Sequence, residues 1–131
     1  MPGNMDCGVC PLPKPGVKDI FHQRKVKRMD KLPKHFVKLK ERFGPVIEQM
    51  NSVGDTIAKA GPIDEKTGQL IQLAAAAAQR SEGAVHSHAR RAVKAGASPD
   101  EVRHALVLLI PTVGFPTVAA ALAWVDDILD D

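Results

Sequence analysis

Residues 64–106 read DEKTGQLIQLAAAAAQRSEGAVHSHARRAVKAGASPDEVRHAL, and three helices follow from this stretch. Asp64 supplies an N-cap for a helix over about 65–80, because a short side-chain oxygen accepts the orphan backbone N–H groups of a first turn. Leu70, Ile71, Leu73 and the run Ala74 to Ala78 leave that helix little polar surface, so it is expected to be buried centrally. Consecutive alanines combine high helix propensity with room for close backbone approach. Ser81-Glu82-Gly83 interrupts the apolar pattern and leads into a second helix through about Ala95, stopped by Gly96. Ser98-Pro99-Asp100-Glu101 then has a Ser cap, Pro at the first helical position and Glu at the third, the pattern of a capping box. The third helix carries Val102, Ala105, Leu106, Leu108 and Leu109 and is expected to end near Pro111.

Working outward, Gly114-Phe115-Pro116 opens a last helix to about Leu129, with Val118, Leu122, Val125 and Leu129 on one face. Upstream, Phe36, Leu39, Phe43, Val46, Ile47 and Met50 recur at three- and four-residue spacing, which predicts an amphipathic helix from about Leu32 to Ala60. Pro33 is tolerable in its first turn, Gly44-Pro45 is a site for a kink, and Gly54 or Gly61 is a site for its end. Residues 17–29 suit a short basic helix, and residues 1–16, with Pro11, Pro13 and Pro15 at alternate positions, an extended arm. The expectation is an all-α bundle of about six helices over 17–131, preceded by an arm at 1–16, with no convincing strand and no internal repeat.

A chain of 131 residues has room for one domain and excludes a two-domain enzyme with a built-in dinucleotide fold. Aromatic residues make up 4%, with no Tyr, so aliphatic side chains must fill the core, which favours packed helices over stacked sheets. The net charge of +3 is unevenly spread: residues 1–44 hold eleven Lys/Arg against four Asp/Glu, and residues 45–131 hold seven against eleven. A basic first third on an acidic remainder fits pairing within or between subunits, and also fits an anionic partner. Without a helix-turn-helix signal or an aromatic stacking platform, nucleic acid is not the expected partner. No stretch reaches the roughly 18 apolar residues of a membrane span, and the N-terminus lacks the basic flank and apolar run of a secretory signal. A cytoplasmic location is the expectation.

The chemistry-bearing residues crowd the first turns of the second helix, as Glu82, His86, Ser87 and His88. At about 100° per residue, Ser81, Ala84 and His88 share a face, while His86 points roughly 200° from His88. The two histidines therefore do not face one pocket, and the spacing does not make a zinc site, which needs helical ligands three or four apart. Cys7 and Cys10 are too close together to staple a fold. They are an incidental pair, a redox pair, or half of a metal site with His22 as the nearest further ligand.

The stretch 64–129, with its apolar helix, polar break, His-bearing helix ending in Ala-Gly and capped Ser-Pro-Asp-Glu-Val helix, resembles the carboxymuconolactone decarboxylase family. That superfamily includes the AhpD-type alkylhydroperoxidases. GFPTVAAALAWVDDIL, residues 114–129, is similar to the family's closing segment. The AhpD signature is a Glu, a Cys-x-x-Cys twelve residues on, and a His four residues after the second Cys; its positions fall on Gln69, Ser81, Ala84 and His88. Only the histidine is retained. Without thiols at 81 and 84 the helix cannot form that disulfide, and Gln69 cannot act as the carboxylate base.

The resemblance is therefore nearer the decarboxylase branch, which has no such Cys pair. It implies a lyase with His88 as acid/base on a small carbonyl or lactone substrate, Glu82, Ser81 and Gln69 as polar neighbours, and no metal or other cofactor. Family membership also carries the alternative of an oxidoreductase with peroxiredoxin activity through the displaced Cys7 and Cys10. A third reading is a non-catalytic scaffold whose basic arm, Arg24 to Lys34, docks an acidic partner. The resemblance further implies a homo-oligomer, trimer or hexamer.

Overall fold

The computed structural model describes residues 33–130, which form six helices and no strand. They are α1 (Lys34–Ala58), α2 (Glu65–Ala78), α3 (Glu82–Lys94), α4 (Pro99–Val107), the single turn α5 (Ile110–Val113) and α6 (Phe115–Leu129). The expected arm at 1–16, the basic helix at 17–29 and the cysteine pair lie outside the described residues.

Two helix starts carry the caps expected from sequence. The Asp64 carboxylate accepts the Thr67 backbone N–H at 3.2 Å. At α4 the capping box is complete: the Glu101 N–H donates to Ser98 Oγ at 3.1 Å and the Ser98 N–H donates to Glu101 Oε2 at 2.8 Å. α3 ends as Gly96 takes a φ of +103°, a conformation that a Cβ would disfavour, with the Ala97 N–H returning to Ala92 O and the Gly96 N–H to Val93 O. The kink in α1 falls at Phe43 (φ −130°, ψ 35°), two residues before Pro45. A proline there withholds a donor and crowds the preceding turn. α1 ends after Ala58, so neither Gly54 nor Gly61 is its stop, and Pro33 is its N-cap rather than a first-turn residue.

The core joins α2, α3, α4 and α6. Leu73, Val85, Val102, Leu106, Val118 and Val125 are fully buried, with Ala77, Ala89, Ala92 and Ala121 between them. Small residues on α2, α3 and α6 let these three helices lie close together, as the alanine run implies. Two expectations need correction. α2 is not buried all round: Leu73, Ala76 and Ala77 face the core, while Ile71, Ala75 and Ala78 are exposed. Alanine's high helix propensity holds it helical on an open face as readily as on a closed one. The helix opened by Ser98 ends at Val107, and Pro111 sits in the first turn of α5, where a missing N–H costs nothing.

Arg103 ties α4 to the end of α6, with Nε on Asp126 Oδ1 at 2.9 Å and Nη2 on Asp130 Oδ1 at 2.5 Å. Lys66 ties α2 to α4 through Glu101 at 2.9 Å. α1 has no extensive packing partner among the described helices, and only Ile47 on it is buried.

Candidate functional site

The turn between α2 and α3 builds the site. Arg80 adopts a left-handed φ of 54°, unusual for a residue with a Cβ. The Ser81 N–H reaches back to Ala76 O and the Arg80 N–H to Ala77 O, closing α2 with the same pair of bonds that closes α3. Arg80 also donates from Nη2 to Thr117 Oγ1 on α6 at 3.0 Å, which helps to hold this conformation. The reversal sets Ser81 at the start of α3 and folds the Ser81–Ala84–His88 face of α3 against α2.

Between the two helices lies an open hollow of about 320 Å³, lined by Gln72, Ala75, Ala76 and Gln79 from α2 and by Ser81, Ala84 and His88 from α3. No carboxylate and no Lys or Arg belongs to this lining; its polar groups are two amides, a hydroxyl and an imidazole. Alanine at three lining positions leaves the space that larger side chains would occupy.

His88 is half-buried, and its Nδ1 lies 3.0 Å from Gln69 Oε1, one turn before Gln72 on α2. An amide oxygen only accepts, so this contact is a hydrogen bond in the Nδ1–H tautomer, which leaves the lone pair on Nε2. Burial holds the His88 pKa below the ordinary imidazole value, and the nearby Arg91 charge lowers it further. The ring is therefore mostly neutral at pH 7, with a free basic nitrogen on a residue that lines the hollow.

Of the residues expected from sequence, Gln69 contacts His88 directly, and Ser81 shares the hollow with it. Glu82 does not join them: it is exposed in the first turn of α3, outside the lining, where its charge complements the helix N-terminus. His86 is also outside the lining, and its Nε2 is buried without a hydrogen-bond partner. Gln72 and Gln79 were missed. The signal was present, because 69, 72, 76 and 79 recur at helical spacing and put three glutamines on one edge of an otherwise apolar helix. Among the described residues, no group of three or more His, Cys, Asp or Glu could hold a metal ion.

With the helices and the His88 hollow in view, comparison with known proteins gives the class. The model of the carboxymuconolactone decarboxylase family matches residues 45–127, and the chain belongs to that family. Its fold is similar to that of a carboxymuconolactone decarboxylase family protein from Legionella pneumophila, whose apo crystal structure superposes with a TM-score of 0.61. That match has 24% sequence identity and covers 85% of this chain and 91% of the other. No curated protein matches the chain. The family match begins at Pro45, just beyond the kink in α1. No described helix is long and apolar enough to cross a membrane.

Proposed function

We propose that His88 is the acid/base of a small decarboxylase-like site that acts on a carbonyl or lactone substrate held in the hollow between α2 and α3. The observation that carries this reading is the 3.0 Å Gln69–His88 contact, which pairs with the Nδ1–H tautomer and in that form leaves Nε2 as the free basic nitrogen. A neutral imidazole with a lowered pKa takes a proton from carbon next to a carbonyl as a base, and its conjugate acid returns the proton readily. In a decarboxylation the C–C bond to the carboxylate breaks, its electron pair enters the carbonyl system, and CO2 leaves. Nε2 takes up a proton from solvent and delivers it to the carbon of the resulting enolate, so that the step consumes one proton for each CO2 released. The Gln72 and Gln79 amides and the Ser81 hydroxyl are the hollow's hydrogen-bonding groups for a substrate oxygen. An uncharged lining suits the lactone or carbonyl part of a substrate rather than a second carboxylate.

The test is turnover of a panel of small lactones and β-keto acids, with a hydroperoxide included, by wild type, His88→Ala and Cys7→Ser. Loss of about 10²- to 10⁴-fold in His88→Ala, with Cys7→Ser unchanged, is the expected result for positioned proton transfer. Peroxide turnover that disappears with Cys7→Ser would instead place the chemistry on the Cys7/Cys10 pair. Unchanged activity in His88→Ala would remove the acid/base assignment.

A further inference from the structure

Arg80 stands between two residues of the hollow without belonging to it. Gln79, the C-cap of α2, and Ser81, the N-cap of α3, both line the space beside His88. Residues that close one helix and open the next can share a lining only where the chain between them reverses. That reversal is the φ of +54° at Arg80, a region in which an L side chain crowds its own backbone. At the end of α3 the same pair of closing bonds is made around Gly96, which has no Cβ to crowd. Local conformation therefore favours glycine at position 80, and the arginine must be explained by its side chain.

The side chain leads to the core. Its Nη2 donates to Thr117 Oγ1 in the first turn of α6 at 3.0 Å. Among the described residues Thr117 is the only buried polar one, and the next residue, Val118, is fully buried. A buried hydroxyl is costly to leave unpaired, which favours the bond at its inner end. The outer end of the same side chain is the backbone that carries Gln79 and Ser81.

We infer that Arg80 is a positioning residue: anchored on Thr117, its guanidinium holds the α2–α3 turn in the conformation that brings Gln79 and Ser81 to the hollow. Arg80 and Thr117 act through those two neighbours and do not touch the substrate. The inference rests on the assignment of the hollow as the substrate site.

Three variants test it. Thr117→Val removes the acceptor and keeps the bulk of a core side chain, Arg80→Gly removes the donor and relieves the backbone, and Arg80→Lys keeps a cationic donor. Amide hydrogen exchange on the full-length chain reads the turn. The Ser81 N–H, bonded to Ala76 O, is expected to exchange about tenfold faster in Thr117→Val and in Arg80→Gly. The Ala97 N–H, which closes α3 on Ala92 O in the same way, is expected to keep its wild-type rate, whereas general destabilisation would speed both. With the substrate that wild type turns over best, both variants are expected to lose about tenfold in kcat/KM, and the midpoint set by His88 in the pH profile is expected to stay in place. Arg80→Lys should fall between them and wild type. Wild-type exchange and turnover in Arg80→Gly would show that the backbone conformation suffices without the side chain, and would overturn the role of the guanidinium. Wild-type exchange at Ser81 in Thr117→Val would overturn the anchor. Unchanged turnover in His88→Ala would instead remove the assignment of the hollow, leaving the exchange rates to decide what Arg80 holds.

Discussion

α1 and α4 are both amphipathic helices, yet their apolar faces meet different fates. On α4, Val102 and Leu106 are fully buried against neighbours in the same chain; on α1, Met50 and Ile57 are exposed. The two patterns look alike in sequence because periodicity reports that a face must be covered, not what covers it. What separates them is what surrounds each. α4 is bounded by a capping box and a short connection that press it onto α2 and α6, while α1 is longer, kinked and joined to α2 by the exposed stretch 59–64.

The sharpest way to test this contrast is to truncate one side chain on each side of it. Leu73→Ala, in the packed bundle, is expected to cost about 2–5 kcal/mol in chemical denaturation, because a fully buried leucine leaves a cavity. Met50→Ala, at an exposed position, is expected to move bundle unfolding by no more than about 0.5 kcal/mol. Equal losses at the two positions would mean that α1 folds onto the bundle and that the contrast is wrong. A smaller effect is expected at the α4 boundary: Ser98→Ala removes one half of a reciprocal cap and should cost about 1 kcal/mol. Ser98→Asp, which keeps an acceptor, should recover most of it.

The smallest expected effect is on pH dependence. The folded pKa of His88 is depressed below its unfolded value of about 6.5, so the folded chain binds protons less readily than the unfolded chain. Its contribution to stability is fully present above the unfolded value and is lost as pH falls through the lowered folded one. Proton abstraction by neutral His88 should fall on the same acidic side, and proton delivery by its conjugate acid should fall as pH rises, both with a midpoint below the ordinary imidazole value. Gln69→Leu, which removes the acceptor from Nδ1, should alter that profile while leaving the fold intact. A profile identical to wild type would mean that Gln69 does not position the ring.

Much of this was legible residue by residue. The Ser98 cap, the Gly96 stop and the kink at Gly44-Pro45 are local events decided by a few neighbouring atoms, and they fall where the residues place them. The Ser81–Ala84–His88 face was equally readable, because helical geometry alone aligns those positions and turns His86 away. The openness of α2 was not, since five alanines read the same whether or not a neighbour covers them. Glu82 looked like part of the site because it is near in sequence, but adjacent helical residues point in different directions, and it faces out. Gln72 and Gln79 joined the site only because α3 folds back along α2.

Sequence by itself therefore determined the all-helical class, the caps at Asp64 and Ser98, the stop at Gly96 and the family, since these rest on short-range bonds and on periodicity. Only the tertiary structure decided that Gln69 meets His88 across 19 residues, that the lining carries no charge, and that α1 keeps its apolar face open. Those outcomes depend on which faces approach one another, and that choice is made by the summed packing of the whole chain.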